Sequence, residues 1–98
     1  MALQIKWTKG AEEKFLSIIA YVEMEWGTKS ASDFVDESDD VIDLISAFPE
    51  IGNLEKKEKG IRSFLITKQT KLFYRIKGER LILLTFFDTR QNPKKKPK

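Results

Sequence analysis

The apolar residues of this chain keep one spacing in its first half and another in its second, and that switch limits the folds open to it. Ala11, Phe15, Ile18, Ile19, Val22 and Trp26 recur at steps of three and four, and Phe34, Val35, Val41, Ile42, Ile45 and Phe48 do so again. Each set lays one apolar stripe along a helix. From Ile61 onward the spacing shortens to alternation, in the segments Ile61–Ile66, Lys71–Lys77 and Arg80–Asp88. That is the period of half-buried strands. A short alternating segment, Leu3, Ile5 and Trp7 against Ala2, Gln4 and Lys6, precedes the helices. The expected class is α+β: an N-terminal strand, an antiparallel two-helix hairpin, then a three-stranded antiparallel meander in one sheet, in the order β-α-α-β-β-β.

Local signals set the boundaries. Thr8 offers an N-cap hydroxyl and Gly27 a helix stop. Thr28 or Ser30 caps the second helix, Ser30 with Asp33 three residues on resembling a capping box, and Pro49 ends it. Few residues separate the stripes, so the helices turn back on one another. Glu50–Lys59, charged and poor in apolar anchors, reads as an exposed loop. Gly78 supplies the positive φ of a tight hairpin. With Thr67–Thr70 as the other turn, Ile61, Ser63, Leu65, Leu72, Tyr74, Ile76, Leu81, Leu83, Thr85 and Phe87 form the face packed on the helices. Arg62, Phe64, Ile66, Lys71, Phe73, Arg75, Lys77, Arg80, Ile82, Leu84, Phe86 and Arg90 then take the opposite face.

Composition excludes several functions. The chain of 98 residues has neither Cys nor His, so disulfides, thiolate zinc sites and the usual transition-metal ligands are ruled out, and neither metal nor cofactor is expected. Its longest apolar run, Leu81–Leu84, is far short of the ~20 residues of a membrane span, and the start lacks the form of a secretory signal. A soluble cytoplasmic protein is expected, with one domain over residues 1–93 and a disordered basic tail at 94–98.

Charge is divided along the chain. Residues 11–50 carry eleven acids against Lys14 and Lys29, whereas residues 60–98 carry eleven Lys or Arg against Glu79 and Asp88. A basic sheet beside acidic helices suits a negatively charged partner, against the plain alternative of solvated charge. On the opposite face, Arg62 and Arg75 are expected to crowd one another, with Lys77 and Arg80 beside them and Lys71 and Arg90 toward the other end. Phe64, Phe73, Ile82, Leu84 and Phe86 stand among these cations. Such a half-apolar face calls for a cover, from another chain or from the N-terminal strand or tail.

Ala11 and Glu13, Tyr21, Trp26-Gly27, Ala31, Pro49 with Gly52, Gly60, Arg62, Leu72-Phe73-Tyr74-Arg75, Ile82-Leu83-Leu84 and Asp88-Thr89-Arg90-Gln91-Asn92-Pro93 together resemble the RelE/ParE superfamily of toxins from type II toxin-antitoxin modules, over about residues 3–93. Their order and spacing carry the resemblance. The long hairpin and the Pro49–Gly52 turn are more similar to the ParE branch, whose members poison DNA gyrase, than to the RelE branch, whose members cut messenger RNA on the ribosome. The resemblance implies a cognate antitoxin as partner and a cellular target; on the reading of the opposite face, the antitoxin meets Phe64, Phe73, Ile82, Leu84 and Phe86, and the target is contacted by Arg62, Arg75, Lys77, Arg80 and Arg90.

For a RelE-like endonuclease, the resemblance implies catalytic roles for Arg62, Lys71 and Arg90. A second basic position is Phe64 here, and no Tyr or His follows Tyr74 to move protons. Arg62 and Arg90 can stabilise charge but cannot serve as ordinary bases, because arginine stays protonated. A third reading, a plain RNA-binding module, would use Phe64, Phe73 and Phe86 as a stacking platform, although core packing is the commoner use of such residues. Trp26 is expected to anchor the hairpin, Tyr74 to pack with its hydroxyl near the rim, and Asp88 to pair with Arg90.

Overall fold

The computed structural model describes residues 2–91, so the basic segment at 94–98 lies outside the described residues. β1 (Gln4–Trp7) leads into α1 (Lys9–Trp26) and α2 (Thr28–Ala47), followed by β2 (Asn53–Lys56), β3 (Ile61–Leu65), β4 (Thr70–Lys77) and β5 (Arg80–Asp88). Thr8 caps α1, its Oγ1 accepting from the Ala11 amide at 3.1 Å and donating to the Leu83 carbonyl at 2.8 Å. One hydroxyl therefore starts the helix and ties it to the sheet. Gly27, at φ 97°, closes α1 through its N–H to the Glu23 carbonyl and is also the residue that opens α2. No side chain caps α2, so neither Thr28 nor Ser30 plays the expected part.

The sheet has five strands in the order β1-β5-β4-β3-β2. The element order is as expected, but the sheet is mixed: β1 pairs with β5 in parallel while the other pairings are antiparallel. The segment read as a loop contains the edge strand β2. Ile18, Val22, Phe34, Ile42 and Ile45 pack on Leu72, Tyr74, Leu81, Leu83 and Phe86 to make the core. Two serines, Ser38 and Ser46, also face inward, each satisfied by donating to a carbonyl of its own helix, whereas Phe48 is exposed.

Two departures from the expected register decide where the functional side chains point. Leu65 pairs with Lys71 and the Ile66 N–H meets the Thr70 carbonyl, leaving three residues in the turn instead of four. A slip of one residue sends every side chain of a strand to the other face. Arg62, Phe64 and Ile66 therefore share the helix face with Tyr74, Leu72 and Thr70, and Ile61, Ser63 and Leu65 face outward. In β5, Phe73 pairs with Thr85 but Tyr74 with Leu83, so Leu84 is an extra residue, a β-bulge. Beyond it the parity reverses. Phe86 and Asp88 turn inward, and Thr85 and Phe87 outward. Thr8 Oγ1 lies within hydrogen-bonding reach of both carbonyls at the bulge, Leu83 and Leu84.

Candidate functional site

The helix-facing cations are tied into the fold. Gly52 follows the short 3₁₀ turn Pro49–Ile51, and a Cβ there would run into Tyr74 Oη and come within 2.7 Å of the Ser63 carbonyl, so only glycine lets the chain pass so close. Tyr74, fully buried, donates to the Pro49 carbonyl at 2.7 Å and accepts from the Gly52 N–H at 3.1 Å. Arg62 donates to the Gly52 and Glu50 carbonyls at 2.9 and 3.3 Å. Arg62 thus fastens the turn. Burial pushes the Tyr74 hydroxyl pKa up, offset in part by the Gly52 N–H and the charge of Arg62.

Arg90 forms a bidentate pair with Asp88, Nε to Oδ1 at 3.0 Å and Nη2 to Oδ2 at 2.7 Å, with Thr70 Oγ1 donating to Oδ2 at 2.6 Å. Burial alone would raise the Asp88 pKa, but the hydrogen bonds from Arg90 and Thr70 outweigh it and hold the carboxyl below its usual range. The same pairing lifts the Arg90 pKa against the opposing effect of burial. The guanidinium also lies 5.3 Å from the ring centroid of Trp26. Trp26 joins the hairpin to the sheet's end in this way, edge-on to Tyr21, while more than half of its surface stays exposed.

The outer cations are differently placed. Arg75 lies level with Ile61 and Ile82, and Lys77 opposite Arg80, all on the side away from the helices. Arg62 and Arg75 point to opposite faces, so the crowding expected of them does not occur. Among the described residues, no ion pair involves Arg75, Lys77 or Arg80, and Arg75 Nε is buried without a hydrogen-bond partner. Lys71, also outward, lies 5.8 Å from the Phe73 ring centroid and 3.9 Å from the Glu55 carboxylate, which also accepts from Ser63 Oγ.

Of the expected partner-contacting residues, Phe73 and Ile82 are outward, and part-buried Leu84 is the bulge residue. Phe64 is not on that face, and Phe86 is 2% exposed, stacked between Trp7 and Phe15 at 5.8 and 5.1 Å. The stacking platform of three phenylalanines therefore does not exist. Leu65 and Phe87, expected inside, stand exposed instead and lengthen the apolar end of the outer face. Arg62, Lys71 and Arg90 do not converge either: Lys71 is on one side of the sheet, Arg62 on the other, and Arg90 is clamped by Asp88 beyond the last strand. Among the described residues, no cluster of acids could hold a metal, and no helix is long and apolar enough to cross a membrane.

A model of the family described as ParE toxin of type II toxin-antitoxin system, parDE, matches residues 5–93. No curated protein matches the sequence. Similar solved structures share the fold at low identity. The chromosomal ParDE toxin-antitoxin system from P. aeruginosa aligns at TM-score 0.75 and 18% identity, over 89% of this chain and 96% of that one. The YoeB/ParE toxin from Agrobacterium tumefaciens aligns at 0.64 and 18%, over 88% and 98%. A chain of the RelBE2 toxin-antitoxin complex from Mycobacterium tuberculosis aligns at 0.56 and 18%, over 90% and 99%.

Proposed function

The chain belongs to the ParE toxin family of type II toxin-antitoxin systems, and from that premise we propose that it arrests growth by binding DNA gyrase in the cytoplasm. The observation that carries this reading is the division of the cations by the sheet. Among the described residues Arg75, Lys77 and Arg80 stand outward without carboxylate partners, while the three groups a RelE-like nuclease would need are split between faces and partly tied up as structure. An open cationic surface suits binding and steering of an anionic target. Acid-base chemistry needs a proton-transfer group within reach of a substrate, and Tyr74 beside Arg62, Glu55 beside Lys71 and Asp88 beside Arg90 are each engaged in hydrogen bonds or an ion pair of the fold.

The cognate antitoxin is the second partner. We assign it the apolar end of the outer face, Leu65, Phe73 and Phe87 with part-buried Leu84, extending to Ile82 beside Arg75, where an amphipathic segment bearing acids for Lys71 and Arg75 would bury the exposed apolar surface and cover the neighbouring positive charge. Neutralisation is then occlusion of the contact surface.

The test pairs two purified systems. Antitoxin-free toxin is expected to abolish supercoiling of relaxed plasmid by gyrase and to leave translation of ribosome-bound message intact. Cleavage of that message, lost in Arg62→Ala or Arg90→Ala variants that still fold, would establish the nuclease and overturn the gyrase reading.

A further inference from the structure

We propose that the hairpin end of the outer sheet face binds duplex DNA directly, through the phosphate backbone. This extends the reading of that face as the target surface from a protein target to the DNA it handles. Lys6 on β1 is level with Ile82 on β5, Ile82 with Arg75 on β4, Arg75 with Ile61 on β3, and Ile61 with Lys56 on β2. A single row across all five strands therefore reads Lys, Ile, Arg, Ile, Lys. At the ~4.8 Å spacing of adjacent strands, its cations stand ~10 Å apart and span about 19 Å. Lys77 and Arg80, paired with one another, add two more a step of ~7 Å along the strands.

Three observations favour nucleic acid over an acidic protein as the occupant. Among the described residues none of these five cations has a carboxylate partner, so the charge is free to be neutralised from outside. The three cations of the row, Lys6, Arg75 and Lys56, are spread singly along a line at about the Debye length of physiological salt, ~8 Å, which keeps their mutual repulsion small, whereas Lys77 and Arg80 stand side by side and gain from an anion between them. Such a line matches a rod carrying a charge every ~1.7 Å of its axis better than a few localised carboxylates. Finally, Leu65 and Phe87, which a protein partner would use as anchors, lie at the other end of the face, and the row offers only part-buried isoleucines between its charges. Charge without apolar anchors is how proteins hold phosphate backbone irrespective of sequence.

The test titrates antitoxin-free toxin into a labelled duplex of mixed sequence and follows fluorescence anisotropy at stepped salt. Five phosphate contacts predict a slope of log affinity against log salt of about −4.5, and the double substitution Lys6→Gln/Lys56→Gln should make it shallower by about 1.8. Lys68→Gln, in the β3–β4 turn, should leave the slope unchanged. No binding at low salt, an unchanged slope in the double variant, or displacement of the duplex by polyglutamate of equal charge as effectively as by unlabelled duplex would each overturn the proposal. Gyrase inhibition by the same preparation separates the two ideas. Toxin that blocks gyrase but ignores duplex DNA overturns this inference alone, whereas toxin that binds duplex and spares gyrase upholds it and removes the gyrase reading.

Discussion

The two faces of the sheet use the same residue type in opposite ways. Arg62 and Arg90, on the helix side and just beyond the strands, spend their hydrogen bonds on Gly52, Glu50 and Asp88. Arg75, one pairing step from Arg62, has a buried nitrogen with no partner, and its neighbours Lys77 and Arg80 are free of carboxylates among the described residues. A cation with a full set of partners is expensive to remove and has little left to offer a ligand. A cation without them costs the fold little to lose, and its charge is available to a target. Position relative to the sheet, and not residue type, separates the arginines held by the fold from Arg75, which the proposed function assigns to the target.

The comparison is open to breakage at several points. The largest effect is expected at Asp88, whose side chain is fully buried against Arg90. Asp88→Asn should destabilise by about 3 kcal/mol in urea unfolding, the low end for breaking a buried pair because Arg90 keeps some access to water. Tyr74→Phe comes next, leaving the Gly52 N–H and Pro49 carbonyl unpaired, and should lower stability by about 1–3 kcal/mol. Asp88 also gives an acid signature. Its pKa is depressed in the folded state, so its contribution is complete above the unfolded value of ~3.9 and fades as pH falls through the lower folded value. Wild-type stability should therefore drop below about pH 4 more steeply than that of Asp88→Asn, as chemical denaturation across pH would reveal. The smallest effect is expected at Arg75: Arg75→Gln should change stability by no more than about 0.5 kcal/mol. A loss of several kcal/mol there would place Arg75 with the scaffold and erase the distinction.

The helices were legible in the sequence because their stripes, the Thr8 cap and the Gly27 stop all agree, and the three C-terminal strands because their alternation is bounded by clear turns. The facing of two strands was not. Ile61, Ser63, Leu65 and Arg62, Phe64, Ile66 are about equally apolar, so pattern alone could not choose between turns of three and four residues. Near the end of β5, Thr85 and Phe87 offered the same ambiguity against Phe86 and Asp88. The bulge at Leu84 is resolved by tertiary contacts, Thr8 at its carbonyls and Phe86 between Trp7 and Phe15, that join residues more than 70 positions apart. β2 carried no signal because Asn53–Lys56 is an exposed edge defined only by its backbone pairing with β3. The family pattern was readable throughout, but the cations it marked at Arg62 and Arg90 are tied into the structure, whereas Arg75, Lys77 and Arg80 have no carboxylate partner among the described residues.

The most direct measurement is gyrase supercoiling in the presence of the Arg75→Gln/Lys77→Gln/Arg80→Gln variant, its melting temperature first matched to that of the unaltered toxin. The outer-face account predicts a loss of inhibitory potency of at least about tenfold, equivalent to ~1.4 kcal/mol of target binding. Potency equal to that of the unaltered toxin would contradict it.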